Sequence, residues 1–124
     1  MSLKESGEMY LESIYVLKQS KQSVRSIDVA EYMNFTKPSV SRAIGLLKKQ
    51  GYIVVDKDGY ISFTDDGEKI AGKIYERHTV LTNVLKAIGI DEKTAAEDAC
   101  RIEHVISEKT FDSIKEYLQQ KMQI

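Results

Sequence analysis

The sequence predicts a mainly α-helical protein with one small β-hairpin, arranged as an N-terminal winged helix-turn-helix followed by a helical region. Apolar residues recur at helical spacing along most of the chain. Two short helix patterns joined by a tight turn are typical of a helix-turn-helix. After Gly51 the apolar spacing changes to two around an Asp-Gly turn, which predicts the hairpin of a wing. We place the domain boundary so that the domains span residues 1–63 and 64–124.

The composition is typical of a folded protein with one modest core, since 42% of the 124 residues are hydrophobic and 30% are charged. No stretch approaches the roughly 20 apolar residues of a membrane span, and the N-terminus has no apolar signal segment. Cys100 is the only cysteine, which excludes an intrachain disulfide. Because the chain has one cysteine and two histidines, it cannot form a zinc site of four cysteines or of two cysteines and two histidines. We expect a cytoplasmic protein.

Charge is divided unevenly along the chain, although the net charge is only −1. Residues 1–50 hold eight Lys or Arg against five Asp or Glu, whereas residues 51–124 hold ten against fourteen. A basic first half and an acidic second half indicate two kinds of surface, one for an anion and one for a cation.

Three helices are predicted before the hairpin. The first spans about 7–19, where apolar residues follow helical spacing. The second runs from Ser26, its predicted N-cap, to Asn34, which suits a left-handed turn. The third follows the N-cap Thr36 and stops at Gly51. The hairpin strands are predicted at residues 52–55 and 60–63, and later helices at residues 65–88, 93–107 and 109–122.

Three side chains in the second half present metal-ligand chemistry at helical spacing. Cys100, Glu103 and His104 stand at i, i+3 and i+4, which places a thiolate, a carboxylate and an imidazole on one face of the predicted helix. The alternative is structural: a buried cysteine, an exposed glutamate and a capped histidine.

Further candidate ligands occur on two other predicted helices. His78 interrupts the inward apolar stripe that runs from Ile70 to Ile88, and alone it is compatible with a satisfied core histidine. Met9 and Glu12 lie at i and i+3 on the first helix, where a methionine is more often a core residue and a carboxylate needs a partner. Sulfur, oxygen and nitrogen ligands together suit a first-row divalent transition metal.

The most specific motif is Arg77-His78, followed some 20 residues later by Ala99-Cys100-Arg101-Ile102-Glu103-His104. Further stretches that carry the same likeness are Glu8-Met9-Tyr10-Leu11-Glu12-Ser13-Ile14-Tyr15, Asp28-Val29-Ala30, Pro38-Ser39-Val40-Ser41 and Gly51-Tyr52-Ile53. On these residues the chain resembles the diphtheria-toxin-repressor-like family of metal-dependent transcriptional repressors, which includes the manganese transport regulators. The resemblance covers nearly the whole chain. It implies a DNA-binding domain followed by a dimerisation and metal-binding domain.

The resemblance also implies a ligand set. Four residues match the regulatory metal site of the iron-responsive branch: Met9, Cys100, Glu103 and His104. Glu12 and His78 match metal ligands of the manganese branch. Thr82 and Ala96 depart from the iron branch, which has a Glu and a His there for its ancillary site. The chain ends at Ile124, so we expect the length of the manganese regulators, without the SH3-like third domain of longer members.

DNA contacts follow from the third helix and the wing. Pro38, Ser39 and Arg42 match positions that face the major groove in the family, and an arginine there can contact guanine. The neighbouring Lys37 and Ser41 belong to the same helix start. Phosphate contacts are predicted for Arg25, Ser26, Thr36 and the wing residue Lys57.

We therefore expect a homodimeric repressor that binds a double-stranded DNA operator when loaded with metal. The resemblance to the family implies that it controls metal-uptake genes. Soft sulfur ligands favour Fe(II), with Mn(II) as the alternative. Surplus apolar residues on the later helices are expected to supply the dimer interface: Val80, Val84, Ile102, Val105 and Ile106.

Two other functions are weighed against this one. The first is a winged-helix regulator that senses no metal, which the one-face spacing of the ligands disfavours. The second is an enzyme with a Cys100–His104 nucleophile pair. Neighbours on a regular helix provide no oxyanion hole, so we expect no enzyme.

Overall fold

A computed structural model describes residues 5–122, with side chains from residue 6 to residue 121. Within that range, the chain forms helices α1–α6 and an antiparallel hairpin of strands β1 and β2. In chain order these are α1 (Glu5–Ser20), α2 (Ser26–Met33), α3 (Lys37–Lys49), β1 (Ile53–Val55), β2 (Ile61–Phe63), α4 (Asp65–Ala87), α5 (Glu92–Ile102) and α6 (Glu108–Met122). The predicted fold class is confirmed. None of the described helices is both long and apolar enough to cross a membrane.

The chain falls into two compact units that divide between Lys73 and Ile74. The first unit contains α1, α2, α3 and the hairpin around one apolar core. Its largest fully buried members are Leu11, Ile14, Val24, Val29, Val40, Leu47, Ile53 and Ile61. Because α1, α2 and α3 all contribute to this core, the helix-turn-helix and the helix before it are packed together.

The start of α2 differs from the prediction. Ser26 is the first helical residue and Arg25 is the N-cap, so the prediction that Ser26 caps the helix is wrong. The reason is Asp28, whose Oδ2 accepts the N–H of Arg25 at 2.8 Å and so satisfies the capping position from inside the helix. The turn after α2 is as predicted, with Asn34 left-handed at φ 59°.

The start of α3 is as predicted. Thr36 is its N-cap: Thr36 Oγ1 accepts the backbone N–H of Ser39 at 3.4 Å, and the Thr36 hydroxyl donates to Ser39 Oγ at 2.9 Å. Gly51, after the helix, has φ 87°, a left-handed conformation that favours glycine.

The hairpin strands are shorter than predicted, since Tyr52 and Tyr60 lie outside the ladder. The N–H of Tyr52 donates to Leu47 O at 3.1 Å and so is not available to the opposite strand, although the Tyr52 carbonyl still accepts the N–H of Thr64, just after β2, at 3.1 Å. At the turn, the Asp56 carboxylate accepts the N–H groups of Asp58 and Tyr60 at 2.9 Å each. The tip that carries Lys57 is therefore ordered by the neighbouring Asp56 side chain.

The second unit has a smaller core around Leu81, Ala99 and Phe111. Helix α5 ends at Ile102, so the predicted continuation of this helix to residue 107 is wrong. The Nη1 atom of Arg77 donates to the carbonyls of Glu103 at 3.2 Å and Ile106 at 3.1 Å. Those carbonyls would otherwise accept N–H groups of a continuing helix.

Helix α4 also ends one residue earlier than predicted. Gly89 has φ 105°, and Ile88, which was expected in the inward stripe, lies beyond the helix with 71% of its surface exposed. Val105 is similarly exposed at 73%, while Val80, Ile102 and Ile106 pack against the small core.

Replacement of Gly67 by alanine should destabilise the protein by about 1–3 kcal/mol, because the added Cβ would overlap the carbonyl oxygen of Tyr52. Gly45→Ala, in the middle of α3, meets no heavy atom within 4 Å. That change should instead raise stability by about 1 kcal/mol, the usual advantage of alanine over glycine in a helix. Urea unfolding followed by circular dichroism measures both. Equal effects of the two substitutions would contradict the close approach at Gly67.

Asp28→Asn should lower the free energy of unfolding by about 1 kcal/mol at neutral pH. The hydrogen bond from Lys21, and then that from the Arg25 N–H, hold the pKa of Asp28 below its ordinary value of 3.8. A depressed native pKa stabilises the fold above the unfolded-state pKa, and this contribution is lost as the pH falls through the native pKa. The difference between parent and variant should therefore persist from about pH 7 to 5 and shrink below about pH 4. Urea titrations across this range test it.

The matched control for that experiment is Glu31→Gln, which removes an exposed carboxylate from the same helix. A loss of stability as large as that of Asp28→Asn would assign the effect to overall charge and not to the Asp28 hydrogen bonds.

Candidate metal centre and nucleic-acid interface

Three predicted ligands come together where α5 ends. Cys100 lies in the last turn of the helix, Glu103 is its C-cap, and His104 belongs to the turn that follows. One ligand atom from each of the three lies within 4.8 Å of the other two. The prediction that all three share one face of a continuous helix is wrong, because the helix stops before His104. The turn nevertheless keeps the three side chains together.

The carboxylate of Glu103 is the most deeply buried charged group of this cluster, with none of its side-chain surface exposed. Its Oε2 lies 2.9 Å from Nδ1 of His78, and its Oε1 lies 3.3 Å from Nε2 of His104. The His104 side chain is only 1% exposed. Burial of a carboxylate is costly without a positive or hydrogen-bonding partner. A buried acid between two imidazoles is therefore typical of a functional site.

The surroundings of the second carboxylate oxygen of Glu103 indicate whether this cluster can hold a metal ion. Glu103 Oε1 is buried and accepts no hydrogen bond from the part of the chain that the structure describes. Beside it are the thiol of Cys100 and the Nε2 atom of His104, so carboxylate, thiolate and imidazole donors converge. These are the donor types of divalent first-row metal sites, and the residues present fit such an ion.

His78 lies in α4 with 29% of its side chain exposed, at the position where it was predicted to interrupt the apolar stripe. Its ring is oriented by Glu103, in the way that carboxylates commonly orient metal-ligating histidines. One turn later, Thr82 donates its hydroxyl to the carbonyl of His78 at 2.7 Å. The Thr82 hydroxyl is thus bonded to the helix backbone. By the resemblance, the iron branch has a glutamate of its ancillary metal site at this position.

Met9 and Glu12 lie on α1 in the first unit, and both are half-buried. The carbonyl of Met9 accepts the hydroxyl of Ser13 at 2.8 Å. The predicted ligand roles of Met9 and Glu12 rest on the sequence resemblance.

The predicted DNA-contacting residues lie around the start of α3. Five of them are exposed: Thr36, Lys37, Pro38, Ser41 and Arg42. Ser39 is half-buried and is engaged with the capping hydroxyl of Thr36. A cleft of about 270 Å³ lies between α2 and α3 and is lined by Ser26, Ile27, Lys37 and Ser41.

Ile27 was not identified from the sequence. It is 44% exposed in the first turn of α2, although it precedes the buried pair Val29 and Ala30. The sequence signal that could have identified Ile27 is its position just outside the apolar pattern of its own helix.

Arg25 has a contact that the sequence did not indicate. Its Nε and Nη2 donate to the carbonyl of Asp58 at 3.1 and 2.6 Å, and its guanidinium lies 4.9 Å from the centroid of the Tyr60 ring. Arg25 therefore links the start of α2 to the turn of the wing. The exposed Lys57 is at the tip of the same turn.

Comparisons with known proteins agree with this architecture. A family model described as the iron dependent repressor N-terminal DNA binding domain matches residues 2–61. A second, described as the metal binding and dimerisation domain of the iron dependent repressor, matches residues 64–122. The HTH-type transcriptional regulator MntR of Lysinibacillus sphaericus is 34% identical over 114 residues, which are 92% of this chain and 82% of that protein.

Solved structures show the same fold. The metal-dependent transcriptional regulator MtsR aligns with a TM-score of 0.82 and 26% identity, over 91% of this chain and 53% of that one. T. acidophilum IdeR aligns with a TM-score of 0.78 and 25% identity, over 96% and 55%. The two family models together cover nearly the whole chain. The chain therefore belongs to the iron-dependent repressor family and is a metal-sensing, DNA-binding transcriptional repressor that forms dimers and depends on a divalent metal.

Proposed function

We propose that this repressor responds to Fe(II) and, when loaded, binds its operator as a homodimer and shuts off metal uptake. The proposed ligands are Met9, Glu12, His78, Cys100, Glu103 and His104. The observation that carries the proposal is the buried Glu103 carboxylate, with one oxygen that accepts no hydrogen bond, beside Cys100 and His104. We assign DNA binding to residues 1–63, and metal binding and dimerisation to residues 64–124.

The choice of metal rests on the sulfur ligands. The thiolate of Cys100 and the thioether of Met9 are soft donors, which favour Fe(II) and its later neighbours over the hard Mn(II) ion. Mn(II) is the second candidate, because Glu12 and Glu103 supply the carboxylate oxygens that it prefers.

Each ligand has a separate task in this proposal. A bound divalent ion would place positive charge beside Oε1 of the buried Glu103 carboxylate, the oxygen that accepts no hydrogen bond from the described residues. His78 orients that carboxylate through the contact between Nδ1 and Oε2. Met9 and Glu12 lie on α1, which shares its core with the recognition helix α3. Coordination at α1 would therefore bias the position of α3, and only the loaded state would bind DNA tightly.

On the DNA side, we propose that the start of α3 enters the major groove, with Pro38, Ser39 and Arg42 at the bases. Lys37 and Ser41 support this contact from the cleft that they share with α2. The phosphate contacts are assigned to Arg25, Ser26, Thr36 and Lys57. A guanidinium has five N–H groups, so the wing contact of Arg25 is compatible with a phosphate contact.

The proposed activity is regulation by binding in the cytoplasm, without a catalytic step. Cys100 is assigned to the metal and not to a nucleophile. A regulator that ignores metal would need no buried acid at the end of α5, so the cluster supports metal sensing.

Glu103→Gln should abolish metal-stimulated DNA binding, because it removes the buried negative charge among the ligands. The loss in metal affinity should be at least tenfold, as is usual when groups at a metal site are removed. Mobility shifts on a DNA duplex selected from random sequence by the loaded parent measure this, with Fe(II) under anaerobic conditions and a chelator control. Glu97→Gln, which removes an exposed carboxylate from α5, the helix that Glu103 caps, should behave like the parent. Equal retention of DNA by Glu103→Gln and by the parent would contradict the proposed metal site.

The paired change of Cys100→Glu and Met9→Asp should shift the metal that activates DNA binding from Fe(II) toward Mn(II). The physical reason is the exchange of two soft sulfur ligands for two hard carboxylates. The measurement is the free concentration of each ion that gives half-maximal DNA retention. A parent that already responds to Mn(II) at lower free concentration than to Fe(II) would contradict the sulfur argument.

Arg42→Ala should weaken specific DNA binding by about 1–3 kcal/mol while affecting random DNA less, because a bidentate base contact is lost. Lys57→Ala should weaken both kinds of DNA alike and reduce the dependence of affinity on salt, as expected of a phosphate contact. Fluorescence anisotropy at several salt concentrations separates the two. If both variants act equally on selected and random DNA, α3 is not the recognition helix.

A further inference from the structure

Arg77 makes two backbone hydrogen bonds to the turn that carries the ligands. Its Nη1 donates to the carbonyl of Glu103 at 3.2 Å and to that of Ile106 at 3.1 Å. One Nη atom carries two N–H hydrogens in the fixed guanidinium plane, so a single nitrogen can serve two carbonyls. The guanidinium also lies 5.4 Å from the centroid of the Phe111 ring, which is buried in the core of the second unit. The Phe111 ring thus helps to hold the guanidinium of Arg77 in place.

The two carbonyls belong to the junction between α5 and α6, where ordinary helical partners are missing. The Ile102 carbonyl accepts the N–H groups of both Val105 and Ile106, which tightens the chain into a turn. The N–H of Thr110, which a continuing helix would direct to Ile106, donates instead to the Ser107 hydroxyl at 3.1 Å. Arg77 supplies the donor that the Ile106 carbonyl would otherwise lack.

The adjacent residue reaches the same turn by its side chain. His78 contacts the Glu103 carboxylate at 2.9 Å, while Arg77 contacts the Glu103 backbone. Two consecutive residues of α4 therefore determine both the backbone position of Glu103 and the direction of its carboxylate. His104 follows Glu103 in the same turn, so its imidazole depends on the same support.

We propose that Arg77 is a positioning residue that sets the 103–106 turn so that Glu103 and His104 face Cys100 in a geometry ready for metal. This role rests on the proposed metal site. Arg77 itself touches no ligand atom in the contacts above and acts through the backbone. Lysine cannot reproduce it fully, because an ammonium group lacks the planar guanidinium geometry.

The experiment compares the full-length parent with Arg77→Ala and Arg77→Lys, using Co(II) as the spectroscopic probe. Arg77→Ala should lower Co(II) affinity about 10- to 100-fold, the usual effect of losing a group that orients metal ligands. The Co(II) absorption bands, including the thiolate charge-transfer band, should change in intensity. Arg77→Lys should recover part of the affinity. Hydrogen exchange in the metal-free protein should show faster exchange of the Val105 and Ile106 amides in Arg77→Ala.

The matched control is Glu76→Gln, on the adjacent residue of α4. It removes a surface ion pair with Lys115 of α6, 2.9 Å long, without touching the turn. It should leave Co(II) affinity, the absorption bands and exchange of the turn as in the parent. An equal loss in Glu76→Gln would assign the effect to general weakening of the contact between α4 and α6 and overturn the proposal.

The remaining outcomes are decisive as well. Folded Arg77→Ala with parental Co(II) affinity and spectrum overturns the proposal even if the turn exchanges faster, since the support would then be structural only. If Arg77→Ala does not fold, the lysine variant decides by the same readouts. If the parent itself binds no Co(II), the proposed metal site fails, while the exchange of the Val105 and Ile106 amides still decides whether Arg77 holds the turn.

Discussion

A fully buried carboxylate between two imidazoles is the contact on which the second unit is organised. The side chain of Glu103 reaches no solvent, so its charge must be balanced by groups fixed within a few ångströms. His78 approaches from α4 and His104 from the same turn, at 2.9 and 3.3 Å. The early end of α5 is part of this arrangement, because a helix that ran on would carry His104 along its axis and not around the carboxylate.

The first unit has a comparable long-range contact on the side assigned to DNA. Arg25 precedes α2, yet its guanidinium holds the carbonyl of Asp58 in the wing, 33 residues away in sequence. Lys18 of α1 also donates to the carbonyl of Ile61 at 3.0 Å. The hairpin has only three residues per strand, which is too short to be stable alone, so these contacts fix the position of Lys57 relative to the helix-turn-helix.

Local signals predicted most of the fold and fewer details of the sites. The hydroxyl cap at Thr36 and the left-handed turn at Asn34 involve contacts with neighbours four residues away or less, and both predictions are confirmed. The cap of α2 lies one residue before the predicted Ser26 because the Asp28 carboxylate accepts the N–H of Arg25. Helical spacing predicted that Cys100, Glu103 and His104 lie together, as their distances show, but not that the helix ends between them. At that end the Glu103 carbonyl accepts a hydrogen bond from Arg77, which is 26 residues distant in sequence.

The neutral capping of α3 has an electrostatic consequence. The first turns of α2, α4 and α5 contain acidic residues, whereas that of α3 contains none, and its cap is the uncharged hydroxyl of Thr36. A helix carries about half a positive charge at its N-terminus, and an acidic cap would cancel it. The field of α3 is therefore left uncompensated at the end assigned to the DNA groove, where polyanionic phosphates can use it. An aspartate at position 36 would cap the helix better than threonine, because its charge complements the helix dipole, but it would repel the DNA backbone, so stability and operator affinity oppose each other at this residue.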